Sequence, residues 1–242
     1  MATEQVVPAR AKKRSGFLDK YFYFSMSLLM AAIVVYGFSH TINHDLFHAA
    51  PPVPWILWVH GAVFSGWVVF FIFQSALIRT HNVKVHRRTG WFGVGLGSVM
   101  TVLGLSTAIV MDRFDALHFH LADAHTFFAI QLWDMISFTT FFWLAVVWRK
   151  KPEFHRRLIF ITTCALTSAA FGRFPMLSRH WFYAGVDSLI VLGVVRDLIV
   201  TKRIHLVYRY ALPALIVGQV VAVQTWLQHP EWWVRFTDAI MR

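Results

Sequence analysis

Seven long apolar stretches govern what this chain can fold into. They cover about residues 21–40, 55–79, 91–112, 124–148, 157–177, 181–200 and 205–227. A helix that crosses the hydrocarbon core of a bilayer needs roughly 20 mainly apolar residues, and each stretch meets or nearly meets that length. Inside lipid, only helices and closed barrels satisfy their own backbone groups. These runs are too long for barrel strands and lack the two-residue alternation of a barrel wall. The expected fold class is therefore all-α, a polytopic membrane protein of about seven transmembrane helices. The fifth and sixth stretches are joined tightly around Ser178 to His180. Composition points the same way: apolar types make up 57% of the chain and charged types only 14%, against about 25% charged in soluble domains.

The net charge of +11 invites a nucleic-acid reading, but its distribution explains it differently. Arg10, Lys12, Lys13, Arg14 and Lys20 precede the first stretch. Arg79, Lys84, Arg87 and Arg88 lie between the second and third, and Arg149 to Lys151 with Arg156 and Arg157 between the fourth and fifth. Arg196, Lys202, Arg203 and Arg209 surround the junction of the sixth and seventh. The connections on the other side hold only Arg113, Arg173, Arg179, Arg235 and Arg242. That alternation fits seven spans with the basic side cytoplasmic, an N-terminus inside and a C-terminus outside. No nucleic-acid partner is expected, and a bacterial inner membrane suits the pattern.

Three segments follow. Residues 1–16 read as a disordered basic cytoplasmic tail and not as a cleaved signal peptide. Residues 17–228 form the seven-helix transmembrane domain. Residues 229–242 carry Trp232, Trp233, Phe236 and Ile240 among polar residues and read as an amphipathic segment on the outer interface. The single cysteine, Cys164, excludes an intrachain disulfide and suits a small packing position.

Thirteen histidines are many for such a chain, and four of them are placed regularly. His60 lies early in the second stretch and His125 at the start of the fourth, both toward the outer side. His86 and His155 precede the third and fifth stretches on the basic side, in His86-Arg87-Arg88 and His155-Arg156-Arg157. The segments His60–Arg88 and His125–Arg157 thus read as a weak parallel repeat of two helix hairpins. In a central four-helix bundle, two imidazoles would stand near the outer face and two near the inner face. Opposed imidazoles at one level are what a six-coordinate b-type haem needs, and bundle cores commonly hold such cofactors. Interfacial hydrogen bonding for His60 and His125, and headgroup anchoring for the two His-Arg-Arg runs, are the plainer readings of the same residues.

The segment His60-Gly61 through Gln74 and Arg79, then Lys84, His86 and the glycine-rich run to Gly104, resembles the cytochrome b561 family of transmembrane dihaem electron carriers. The likeness covers about residues 55–177 and rests on order and spacing. The segment His155-Arg156-Arg157-Leu158 and the last two stretches are also similar to uncharacterised bacterial multi-pass membrane proteins. The cytochrome resemblance implies haem b, one or two per chain, with His60 paired with His125 and His86 with His155. Arg87 and Arg156, with Arg79, Lys84, Arg88 and Arg157, would then hold propionates or an anionic donor on the inner side, and Arg173 a propionate nearer the outer side. Electron donor and acceptor stay unnamed.

Two other readings draw on the outer connections. His40, His44 and His48 follow an i, i+4, i+8 spacing at the end of the first stretch, with Asp45, His118 and His120 in outer segments. These residues suit a zinc or copper site in a membrane-embedded metal enzyme, or equally a solvated loop. The remaining reading is a subunit of a larger membrane complex or a homo-oligomer without chemistry of its own. Charged residues within the stretches, Asp134, Arg173 and Asp187, are expected to face the protein interior. Arg173 and Asp187 sit at similar depth and are expected to pair, while Asp134 is a candidate proton relay. Gly93 and Gly97 form a GxxxG spacing suited to close helix packing.

Overall fold

The computed structural model describes residues 16–119, 124–177 and 181–241, and every regular element among them is helical. Helix α1 spans Phe17–Ser39, α2 Trp55–Arg79, α3 Val83–Phe119 and α4 Ala124–Val147. They are followed by α5 Pro152–Ala165, α6 Ser168–Phe171, α7 Phe182–Thr201, α8 Leu206–Gln228 and α9 Glu231–Met241. Five of these, α1, α2, α3, α4 and α8, are long and apolar enough to cross a membrane. Residues 1–15 of the proposed tail 1–16, together with Arg242 and the 178–180 junction, lie outside the described residues.

The long helices run up and down. Contacts tie the N-terminus of α1 to the C-terminus of α2 (Tyr21 with Arg79) and the starts of α3 and α5 to each other (His86 with His155). They also join the start of α5 to the end of α7 (Arg157 with Asp197) and to the start of α8 (Phe154 with His205). All of these lie at the end that carries the basic connections, called the basic end below. At the opposite end Arg173 bonds Thr41 after α1, and Phe127 of α4 packs on Trp226 of α8.

Three of the sequence expectations need correction. The third helix is not confined to 91–112 but runs for 37 residues, about 55 Å at 1.5 Å per residue, far beyond a hydrocarbon core of about 30 Å. His86 therefore lies inside a helix and not ahead of one. The fifth stretch is not one continuous helix. It ends after 14 residues at Ala165, resumes for a single turn in α6 and then stops. Three hydroxyls bond preceding carbonyls along this stretch, a pattern that bends helices: Thr162 Oγ1 bonds Leu158 O at 2.8 Å, Thr163 Oγ1 bonds Ile159 O at 2.9 Å and Thr167 Oγ1 bonds Cys164 O at 2.6 Å. The glycines of α3 do not bring two backbones together. A Cβ at Gly93 would overlap the Phe70 ring of α2, and one at Gly97 would overlap the Phe142 ring of α4. Their purpose is to seat aromatic rings from two neighbouring helices.

Two apolar clusters fill the interior. One gathers Phe22, Met30, Phe160, Ile190, Tyr208 and Leu215 from α1, α5, α7 and α8, with Cys164 fully buried within it. The other is aromatic: Trp67, Met100, Met135, Phe138 and Phe142 from α2, α3 and α4, against Ile159 of α5 and Leu166 just after it. Trp67 Nε1 also reaches Thr163 Oγ1 of α5 at 3.4 Å. Large apolar side chains such as Val69, Val102, Val147 and Val217 point outward and are exposed, as expected of a surface that meets lipid.

Candidate functional site at the histidines

His86 and His155 occupy equivalent places. Each is the fourth residue of a helix that begins at the basic end. Each backbone N–H bonds the carbonyl of the residue before the helix, Asn82 or Lys151, at 3.0 Å. Their imidazole centroids stand 6.3 Å apart with ring planes at 73°. His155 Nδ1 lies 2.9 Å from the backbone carbonyl of Ala145 in α4. A carbonyl only accepts, so Nδ1 carries the proton and Nε2 keeps its lone pair. His86 Nδ1 is buried with no hydrogen-bond partner. The separation is that of an edge-to-face ring contact, which leaves the two imidazoles close enough to serve one bound group. Locking one imidazole nitrogen with a carbonyl is also how ligating histidines are commonly oriented. Beside the pair, Gln74 Nε2 of α2 donates to Thr89 Oγ1 of α3 at 2.7 Å, and Arg87 lies exposed next to His86.

The outer histidines are arranged differently. His125, in the first turn of α4, bonds through Nδ1 to the buried Asp112 carboxylate of α3. Its backbone carbonyl accepts from Trp233 Nε1 of α9 at 3.2 Å. Here too the Nδ1 contact leaves Nε2 free. His60 stacks on Phe64 with centroids 4.0 Å apart, and its Nδ1 is buried without a partner. No ring contact joins His60 to His125 among the described residues, so this pair is not drawn together as the basic-end pair is. The Asp112–His125 contact was not foreseen, although a His following an Asp across a helix connection was its one visible signal.

The charged residues inside the helices pair otherwise than expected. Arg173 and Asp187 do not meet. Because the chain turns after α6, Arg173 swings toward α1, where Nε bonds Thr41 Oγ1 at 3.0 Å and the guanidinium sits 4.3 Å from the Phe38 ring. Asp187 accepts from Gln219 Nε2 of α8 at 3.1 Å. Asp134 accepts from Ser168 Oγ at 2.5 Å, at the start of α6, and from Tyr183 O–H at 2.8 Å. It thereby ties α4 to the start of α6 and to α7.

At the basic end a buried ion network was missed entirely. Arg157 grips Asp197 with two bonds, Nε to Oδ2 at 2.8 Å and Nη2 to Oδ1 at 2.6 Å. It also donates to Glu153 Oε2 at 2.7 Å. Arg196 bonds the same Asp197 at 2.9 Å and pairs with Asp19 of α1. Arg156, expected to be free for a propionate, is held by Glu153 at 2.6 Å. Burial acts to raise the Glu153 carboxyl, which stands ahead of the apolar part of α5. The hydrogen bond from Arg157 and the charges of Arg156, Arg157 and Arg196 outweigh this and hold it below the ordinary glutamate range.

The alternative outer metal site is not gathered. His40 Nδ1 bonds Tyr36 O at 2.8 Å, His44 pairs with Asp45 at 2.6 Å, His48 Nδ1 bonds Asn43 Oδ1 at 3.0 Å and His118 Nδ1 bonds Phe114 O at 2.9 Å. Helix α1 stops at Ser39 and a five-residue π turn, Asn43–Phe47, follows, so the spacing of four does not continue along one regular helix. His120 lies outside the described residues. Among the described residues, no group of three or more His, Cys, Asp or Glu side chains is placed to hold a metal ion. No protein-family profile, curated protein or solved structure matches this chain.

Proposed function

We propose that this protein is a membrane cytochrome of the b type, similar to the cytochrome b561 family, which carries electrons across or within the bilayer. The observation that carries this reading is the approach of His86 and His155, with Nδ1 of His155 held by Ala145 and its Nε2 left free to bind. Haem b supplies a one-electron iron couple when bound. The chain's own residues would do the rest: His86 and His155 would hold the iron from α3 and α5, with Ala145 O orienting the His155 ring. The exposed Arg87 beside His86 would be the cation for a propionate. A second haem between His60 and His125 has weaker support. The Asp112 carboxylate orients the His125 ring, and the buried Nδ1 of His60 lacks a partner.

In this reading the aromatic cluster of α2 to α5 is the core of a central four-helix bundle, and α5–α6 and α7 complete seven crossings. The failure of α5–α6 and α7 to resemble simple spans has physical causes: the helix break in one, and Asp187, Arg196 and Asp197 in the other. All three charges of α7 are partnered within the protein, which lowers the cost of carrying them into lipid. The basic end faces the cytoplasm of a bacterial inner membrane, and α9 lies outside.

The test is an optical spectrum of detergent-purified protein, oxidised and reduced, with haem quantified per chain. A sharp reduced α-band of a low-spin b haem is expected. His86→Ala and His155→Ala should each abolish the same signal, and the double variant should lose no more than either alone. One haem per chain supports the inner pair alone, and two support both. Folded protein made with ample haem that stays colourless would remove the electron-carrier reading and leave the chain as a subunit without chemistry of its own.

A further inference from the structure

At the basic end, α1 and α2 part to leave a cavity of about 500 Å³, lined by Lys20, Tyr21 and Phe24 on one side and by Arg79 and His81 on the other. Arg79 Nη2 donates to the Tyr21 hydroxyl at 2.5 Å, and its guanidinium lies 4.0 Å from the centre of the same ring. Lys20 Nζ stands 5.5 Å from that ring. Tyr21 thus holds two cations beside one opening. His81 joins them because the chain takes a left-handed turn there, with φ of 62°.

Among the described residues the charge of this cavity is uncompensated. Among the described residues neither Lys20 nor Arg79 has a carboxylate partner, whereas Arg156, Arg157 and Arg196 all do. The acidic neighbour of Lys20 in sequence, Asp19, is committed to Arg196. Arg79 Nε is buried and has no acceptor. A buried N–H of a charged group left unpaired is costly, and a guanidinium beside an ammonium matches the several oxygens of a phosphate. Phe24 gives the cavity an apolar wall, which suits a ligand with a greasy part.

We propose that this cavity binds an anionic phosphate group, held by Arg79 and Lys20 with His81 as a further donor. Two sources share that chemistry: the headgroup of an anionic phospholipid, or the phosphate of a soluble molecule. The proposal does not require haem: it assigns Arg79, which the cytochrome resemblance gave to a propionate or an anionic donor, to a phosphate, and none of its residues belongs to the histidine pairs.

The test uses the full chain in detergent. Native mass spectrometry measures retention of phosphatidylglycerol against phosphatidylcholine, and calorimetry measures binding of inorganic phosphate. The variants are Arg79→Gln and Lys20→Gln, with Lys202→Gln as an exposed basic control. Lys20→Gln keeps the test open if Arg79→Gln loosens the α1–α2 contact. From a phospholipid source, selective phosphatidylglycerol retention should fall about fivefold for each charge removed, while the control is unchanged. From a soluble source, saturable phosphate binding should weaken in both variants without preference for the anionic lipid. The site is overturned if neither ligand binds selectively, or if binding is the same in both variants as in the native chain.

Discussion

At the residue scale, the basic end owes its order to one carboxylate. Asp197 accepts from both Arg157 and Arg196, and all three are essentially inaccessible at 0%, 1% and 1% exposure. Removing one member of a buried ionic cluster leaves its partners uncompensated, at a cost of about 3–5 kcal/mol. Asp197→Ala should therefore unfold at a much lower temperature in detergent. Asp187→Asn, whose carboxylate meets only Gln219, should shift far less; equal shifts would sink this account. Glu153 gives a pH dependence. Its carboxyl is held below the ordinary range by arginines, so it stabilises the fold at neutral pH, and that contribution is lost as pH falls through the lowered folded value. Half of this side chain is in water, so the effect is modest. The melting curves of the native chain and Glu153→Gln should differ at neutral pH and converge in acid. A gap that widens on acidification contradicts the assignment.

At the element scale, α3 is the organising helix. Gly93, Gly97 and Gly104 give it shallow notches that receive Phe70, Phe142 and Met135 from the helices on either side. Adding bulk at Gly97 drives a side chain into Phe142, which is only 2% exposed and stacks on Phe138 with ring planes 6° apart. Overpacking of this kind costs about 1–3 kcal/mol. Gly97→Val should lower thermal stability by that order. Gly95→Val, where the space is open, should be close to neutral. The break between α5 and α6 belongs to the same scale. Ser168 at the break bonds Asp134, and Tyr183 bonds it from α7, so the interruption is filled by polar partners and not by lipid.

At the scale of the whole molecule, the two ends differ in kind. The basic end holds the ion network, the close histidine pair and the cation-lined cavity. The opposite end holds Asp112, His125 and Arg173, with α9 packed across it through Trp233 and an Arg113 bond to Ile240 O at 2.7 Å. In the proposed orientation, a cysteine placed at Arg235 in a Cys164→Ser background should react with an impermeant maleimide added to intact cells. One placed at Lys202 should react only after permeabilisation. The reverse pattern would invert the topology and move the close histidine pair to the outer face.

Sequence alone determined the helical character of the chain and the up-and-down order of its long helices, because apolar length and the placement of Lys and Arg are properties that add along a chain. It also singled out four histidines, His60, His86, His125 and His155, since a repeated order of histidine and basic residues is visible in one dimension, but only the fold set His86 beside His155. Partners far apart in sequence were decided only by tertiary structure. Asp19 with Arg196, Arg157 with Asp197, and Asp112 with His125 meet because of how helices cross, and a hydropathy pattern carries no record of crossing angle or rotation. The break in the fifth stretch was hidden for a related reason. Threonine is apolar enough to extend a run, yet the support of the gap, where Asp134 takes Ser168 and Tyr183, depends on neighbours that only the folded chain supplies.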